Sequence, residues 1–478
     1  MKKMNLLAMS LVSAAALSFS SCSSNDDLTS GGGSNQAKVE GFYMTFAVQT
    51  PTSNGTRTQQ QTQKVDATEA ESKVTSGTFY LVDAKGEIIF TKNITETEWT
   101  NAAPVLTTAG KAQIQVPVQN VKEGVTYTVY FLANTTDPKP WKSVFTAPTG
   151  FNGGFATDKK FVMFNQNDKN SHANKYTVKF EAANKDAATP AAVNETIMLD
   201  RVTARIDKPT SEKTTIEGTI PDGASDLQKK AIADAKAKVK TITLSKYAIT
   251  NLSNKTNIMQ QWDATWNALQ IPTGITYIQP QANLGGKYDL KNPEWFTDAA
   301  KNYVFENTAV APTTMYFEYT VALDETKFTD TPDCTDGTFY RYNGNIYRSI
   351  AAIYAAYADQ SVLFGGKTAE ALKGELKITA DGKIGATETE LAKFREDNVI
   401  EVFVAGKTYY SQVIIDKWLT TNTIQRNTVY QLNVKNIFNV GADVPNGKPD
   451  ENKPMYYLDV EVSVNPWVLS TQDVNLGE

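Results

Sequence analysis

"YYLDVEVSVNPWVLSTQDVNLGE", residues 456–478, closes the chain, and from residue 457 to 464 apolar and polar side chains alternate with the period of two that marks a half-buried β-strand. Leu458, Val460, Val462 and Val464 fall on one face. Chain ends are ordinarily frayed and dispensable, so a strand this well patterned calls for a partner. A strand of the same design lies near the start: "GFYMTFAVQT", residues 41–50, sets Phe42, Met44, Phe46 and Val48 on one face and Tyr43, Thr45, Ala47 and Gln49 on the other.

Between these two strands the same grammar repeats. "SGTFYLVDAKGEIIF" (76–90) reads as a hairpin turning at Lys85 and Gly86, and "VTYTVYFLAN" (125–134) alternates through Tyr127, Val129 and Phe131. "TTMYFEYTVAL" (313–323), "KTYYSQVII" (407–415) and "RNTVYQLNVKNI" (426–437) are further strands. In "TFYRYNGNIYRS" (338–349), Asn343-Gly344 supplies the positive φ angles of a type I′ hairpin turn. Helices are few. "DLQKKAIADAKAKVK" (226–240) is one, with Asp226 as its expected cap, and "SIAAIYAAYADQ" (349–360) is helical or buried, which the sequence does not decide. Short strands separated by turn signals predict a mainly β protein of two β-sandwich domains with a few short helices, the second beginning near Leu199.

The first residues read as a processing signal. Lys2 and Lys3 precede an apolar core at 6–19 that ends in "LSFSSC", and Cys22 after small residues resembles a bacterial lipobox cysteine, which carries lipid on an exported protein. The expected segments are a lipoprotein signal peptide at 1–21, a propeptide with tether and first strand at 22–57, sandwiches at 58–198 and 199–454, and a terminal donor segment at 455–478. The net charge of −5, with no basic block interleaved with aromatics, argues against a nucleic-acid partner.

Catalysis finds no foothold. The chain has one histidine, His172, set in a polar turn, which excludes imidazole triads and HExxH sites. "SVLFGGKTAE" (361–370) lacks the first glycine of a phosphate loop. Cys334, in "TPDCTDG", reads as an idle loop thiol. No catalytic residue, metal site or cofactor is expected, and the protein is not read as an enzyme.

The two similar strands suggest a mechanism. "PTSNGTRTQQQTQK" (51–64) follows the first strand as a polar, flexible stretch open to proteases, with Arg57 in its middle and Thr58 as the residue a cut would expose. If the first strand fills a groove and leaves after cleavage at Arg57, an unpaired edge remains as a template for another chain. The terminal segment of a second copy enters by β-augmentation, and such a head-to-tail contact builds a filament. Pro466 cannot donate to a ladder and is expected to bend the tail, dividing it into 456–465 and 467–476. Either half could donate; the second is favoured, with Trp467, Leu469, Val474 and Leu476 as plugs, while the whole tail completing its own sandwich is the alternative.

The lipobox, the first strand followed by "GTR", "YTVYFLAN", "RVTARI", "GKTYYSQVII", "RNTVYQLNVKNI" and above all "VEVSVNPWVLSTQDVNL" resemble the fimbrillins of Bacteroidales type V pili, and among them the shaft subunit of the minor, short fimbria. The resemblance implies transthyretin-like sandwiches, export, lipidation (palmitate) on Cys22 at the outer membrane, cutting after Arg57 by an arginine-specific protease, and polymerisation by donor-strand exchange. It further implies copies of itself and accessory anchor and tip subunits as partners, and roles in adhesion, biofilm formation and virulence. A tip or anchor subunit would lack one exchange element. A monomeric carbohydrate-binding lipoprotein is the reading from another class, with Trp262 and Trp266 as sugar-stacking candidates, although their helical spacing points rather to core packing.

Overall fold

Eight consecutive residues of the first strand, Phe42–Gln49, pair antiparallel with Lys111–Val118, from Phe42 opposite Val118 to Gln49 opposite Lys111. The strand's other edge runs parallel to Ala191–Ala192 and then to Ile197–Arg201, with Met44 opposite Ala191 and Val48 opposite Ile197. The first strand is therefore interior to its sheet. The computed structural model describes residues 41–50, 65–102, 111–147, 161–168, 172–217, 220, 222–291, 293–298, 301–308, 310–416, 419–445 and 458–469.

Ladder order continues from Ile197–Arg201 through Met163–Asn165, Thr126–Ala133 and Ser76–Val82 to Ile88–Thr95. These strands fold back over the first to make a two-layer sandwich, because period-two alternation gives each sheet one apolar face that only another sheet can cover. Phe46 stacks on Phe79 with 4.5 Å between ring centroids and lies 6.3 Å from Phe131. The core gathered there runs from Met44 to Leu199 in sequence, with Val429 joining from further on. The hairpin of Ser76–Val82 and Ile88–Thr95 turns where expected, the Asp83 carboxylate accepting the backbone N–H groups of Lys85 and Glu87.

A second core starts at Ala204 and Ile206 and ends at Val440. One of its sheets runs Val65–Ala67, Leu458–Leu469, Thr428–Ile437, Ala204–Ile206, Asn302–Val304, and the other runs Val239–Thr250, Thr314–Leu323, Lys407–Val413. Tyr430, Leu432 and Val434 of the first face Phe317, Tyr319 and Val321 of the second across the same core. The molecule is thus mainly β, built of sandwiched sheets with a few short helices.

One local reading needs correction and another is resolved. Helix Asp226–Lys238 is capped by Ser225, whose hydroxyl accepts from Gln228 N–H while the Gln228 side chain answers to Ser225 N–H; Asp226 sits inside the first turn. The alternatives at 349–360 resolve to helix, Ile350–Ala355, with Ile350, Ile353 and Tyr354 buried at the spacing a helix face requires.

Candidate strand-exchange interface

The groove is defined by what fills it. Met44 and Val48 are 0% exposed and Phe46 2%, while Phe42 packs at the edge against Phe180, 5.5 Å away. Burying side chains of this size stabilises by roughly 1.5–3 kcal/mol apiece, so four of them approach the whole stability of an ordinary domain, about 5–15 kcal/mol. A sandwich stripped of this strand would expose the faces of Phe79 and Phe131 and leave Lys111–Val118 and Ile197–Arg201 without their partner ladder. The backbone edges and the apolar slot together hold one extended strand with apolar residues at alternate positions, here Phe42–Gln49.

The terminal strand is Leu458–Leu469, twelve residues without interruption. It pairs antiparallel with Thr428–Ile437 from Leu458 opposite Ile437 to Pro466 opposite Thr428, with an irregularity between Val434 and Asn436. From Trp467 its ladder partner changes to Val65–Ala67, running parallel, with Trp467 opposite Val65 and Leu469 opposite Ala67. The expected division of the tail at Pro466 is corrected in form: the strand does not break there but changes partner. A proline costs its own strand one donor only, so an extended backbone continues where the next residues find a new edge.

Of the proposed donor residues, Trp467 and Leu469 lie on this strand, whereas Val474 and Leu476 fall outside the described residues, as do Cys22, Arg57 and Thr58. The strands on either side of residues 51–64 are both described. Phe42–Gln49 ends before it and Val65–Ala67 begins after it, so residues 50–64 connect the groove's occupant to the edge that covers Trp467–Leu469.

Immediately after Val65–Ala67, the chain is pinned by buried charge, which sequence patterning did not reveal. Thr68 caps helix Glu69–Ser72, its N–H donating to the Glu71 carboxylate at 2.7 Å. That carboxylate, 2% exposed, also accepts from Arg205 at 3.1 Å, Lys301 at 2.9 Å and the Tyr303 hydroxyl at 2.7 Å. Burial alone would raise its pKa, but the hydrogen bonds from Tyr303, the Thr68 N–H and Lys301, with the Arg205 charge, hold it down to about 2. Arg201, fully buried beside it, donates to the Glu71 carbonyl, Ser72 Oγ and Asn427 Oδ1, and burial lowers its pKa to about 9 against the opposing pull of Glu71 and Asp200. The residues "RVTAR" are thus a bracket that joins the segment 65–72 to both cores.

Other candidates separate from this interface. Cys334 is buried, 3% exposed, and burial with the neighbouring charges of Asp336 and Asp333 pushes its thiol up to about 11, so the idle reading describes an inert interior thiol rather than a loop surface. Trp262 and Trp266 are not on a helix. Trp262 belongs to strand Gln261–Trp262, Trp266 occupies the following turn at φ 58°, and their rings stack 6.4 Å apart with His172 edge-on to Trp266 at 3.9 Å. Trp262 Nε1 donates to Asn167 O at 2.7 Å, which ties the half-exposed pair to the chain at residue 167. Among the described residues no cluster of His, Cys, Asp and Glu has metal-binding geometry, and no helix is long and apolar enough to cross a membrane.

Residues 401–473 match the family model "Major fimbrial subunit protein type IV, Fimbrillin, C-terminal". The match covers the Lys407–Val413, Thr428–Ile437 and Leu458–Leu469 strands, two of which form the terminal ladder. Among solved structures, the chain is similar to a provisionally named cell adhesion protein of Parabacteroides distasonis (14% identity, 91% of this chain and 99% of that one, TM-score 0.45). It is also similar to the fimbrilin FimA of Porphyromonas gingivalis (14%, 90% and 99%, 0.43) and to the C-terminally truncated tip fimbrial protein Mfa3 of Porphyromonas gingivalis (12%, 89% and 100%, 0.35). No curated protein sequence matches it. The C-terminal strands of this chain, residues 401–473, thus carry the signature of a fimbrillin C-terminal segment.

Proposed function

We propose that this fimbrial protein is the shaft subunit of a surface fimbria, exported as a precursor lipidated on Cys22, cut after Arg57 and polymerised head to tail by strand exchange. The observation that carries the reading is the position of Phe42–Gln49: interior to its sheet, buried along Met44, Phe46 and Val48, and joined to the rest of the chain through the loop that contains Arg57. Cleavage there severs the only covalent tie between the strand and the sandwich it completes. The vacated slot then takes the tail of a second copy, residues 467–478, while the ladder of Leu458–Pro466 with Thr428–Ile437 keeps that tail rooted in its own domain. Since each copy offers one slot and one tail, the contact propagates rather than closes. The partners are copies of this chain, anchor and tip subunits, and an arginine-specific protease; adhesion and biofilm support follow from display on the cell surface.

The test uses precursor beginning at residue 23, treated with an arginine-specific protease and run unboiled on a denaturing gel beside Arg57→Ala and a truncation after Pro466. Detergent-resistant ladders from wild type alone support cleavage-gated exchange with the donor beyond Pro466. Clean cleavage at Arg57 that leaves only monomer removes the mechanism.

A further inference from the structure

Strands Thr314–Leu323 and Lys407–Val413 are neighbours in one antiparallel sheet, a pairing that a two- to five-residue loop of about the usual length suffices to make. Here the connection is residues 324–406. It carries its own small sheet, Phe339–Tyr342 with Asn345–Tyr347 and Glu401–Phe403, and its own core of Tyr340, Ile353, Leu372, Leu391 and Phe394. Nothing in the strand-exchange interface uses this inserted module. Its outer side holds a cleft of about 660 Å³, within the size range of small-molecule sites.

The lining is mixed in a definite way. Tyr342 and Phe364, 5.0 Å apart between centroids, provide aromatic surface, and Asn343, Lys367, Asp397 and Asn398 provide polar groups. Asn398 is 4% exposed; its Oδ1 accepts from Lys367 Nζ at 3.3 Å and its Nδ2 donates to Phe394 O, so a buried amide is held in place at the cleft wall. Asn343 donates to the Tyr357 hydroxyl at 2.9 Å, which orients its carboxamide at the rim. Three walls are shaped by non-glycine residues in the left-handed region: Asn343 at φ 46°, Phe364 at 49° and Val399 at 53°. For Phe and Val that conformation is costly, and backbone held in it clusters where a site is being shaped.

From this cleft we infer a second activity for the protein: the inserted module binds a neutral saccharide. A sugar ring presents an apolar C–H face and a rim of hydroxyls, each both donor and acceptor, which matches an aromatic floor edged by amides, one carboxylate and one ammonium. Charge disfavours the rivals. Lys367 is already paired with Glu375 at 2.9 Å and Asp397 with Lys393 at 2.7 Å, and the opposite signs of Lys367 and Asp397 cancel the field that would draw a phosphate or a cation. The inference stands independently of strand exchange, since the module shares no residue with the groove or the tail.

The experiment is saturation-transfer NMR on the full chain from residue 23 with glucose, galactose, mannose, fucose and N-acetylglucosamine, each at about 10 mM, enough to load a site of millimolar Kd. Transfer to at least one sugar is expected, weakened about tenfold or more in Asp397→Ala, which removes an exposed carboxylate without touching the core. Phe364→Ala should abolish it, and Trp266→Ala should leave it unchanged. Absence of transfer from all five sugars, persistence of transfer in both cleft variants, or its loss in Trp266→Ala each overturns the assignment.

Discussion

The rings of Phe46 and Phe79 stack 4.5 Å apart, 25° from parallel, so the first strand is clamped face to face against strand Ser76–Val82 of the opposite layer. Phe46→Ala removes a fully enclosed ring and should destabilise the precursor by about 3–5 kcal/mol, the usual cost of such a truncation. Urea denaturation of the precursor measures this. On the proposed mechanism residue 46 departs with the propeptide, so polymer assembled from cleaved Phe46→Ala protein should be as detergent-resistant as wild type. A weakened polymer would show that the first strand stays in the filament.

Opposition of Val65 and Trp467 gives the tail a covering strand within its own chain. Three residues of parallel ladder are a weak hold, and they belong to the segment that the proposed cleavage at Arg57 would free at its upstream end. Asp66→Pro fixes φ and removes one backbone N–H in the middle of the covering strand, and should raise the rate at which cleaved protein forms oligomers, with the cleavage rate itself unchanged. A time course on unboiled gels separates the two steps. Equal oligomerisation rates in variant and wild type would mean that the covering strand is no barrier to donation.

Glu71 sets an acid limit on the precursor. Its folded pKa, held at about 2 against an ordinary 4.5, lies below the unfolded value, so its contribution is fully present above about pH 4.5 and is lost as pH falls through that interval toward 2. The shift corresponds to about 3 kcal/mol. Glu71→Gln should therefore lower stability at pH 7 by that order, removing the anion that Arg205 and Lys301 share, and should flatten the decline between pH 4.5 and 2. Thermal unfolding at several pH values reads both effects. Parallel wild-type and variant curves across that interval would contradict the assignment of the charge.

Much of this architecture is legible in the sequence because it is local. The ladders of Phe42–Gln49 and Thr428–Ile437 follow from alternation, the turn at Asn343-Gly344 follows from the φ angles those residues tolerate, and both show in a window of ten residues. What pairs with what is not local. That Pro466 hands the terminal strand from Thr428–Ile437 to Val65–Ala67 depends on residues roughly 400 positions apart, and no propensity encodes it. The Glu71 cluster was hidden for the same reason, its partners being scattered across residues 68, 205, 301 and 303. Trp262 and Trp266 misled through spacing: a separation of four suits a helix face, but Asp263 accepts from the N–H groups of Asn267 and Ala268 and bends the segment into a turn instead.

Val399 ends helix Glu388–Asn398 in the left-handed conformation, φ 53° and ψ 29°, with its N–H bonded to Arg395 O at 3.0 Å. Glycine is the ordinary residue at such a helix end, and a β-branched side chain there costs about 1–2 kcal/mol. Val399 is also 70% exposed, so its side chain returns little by packing. Val399→Gly relieves the strain but loosens the unfolded chain by about 0.5–1 kcal/mol, leaving a net gain of up to about 1 kcal/mol. The melting temperature should rise by a few degrees or less, read by calorimetry beside Val399→Ala, which keeps the Cβ and should gain less. If glycine proves no more stable than alanine, the left-handed turn is not under strain, and the shaping of the neighbouring cleft by costly backbone loses one of its three supports.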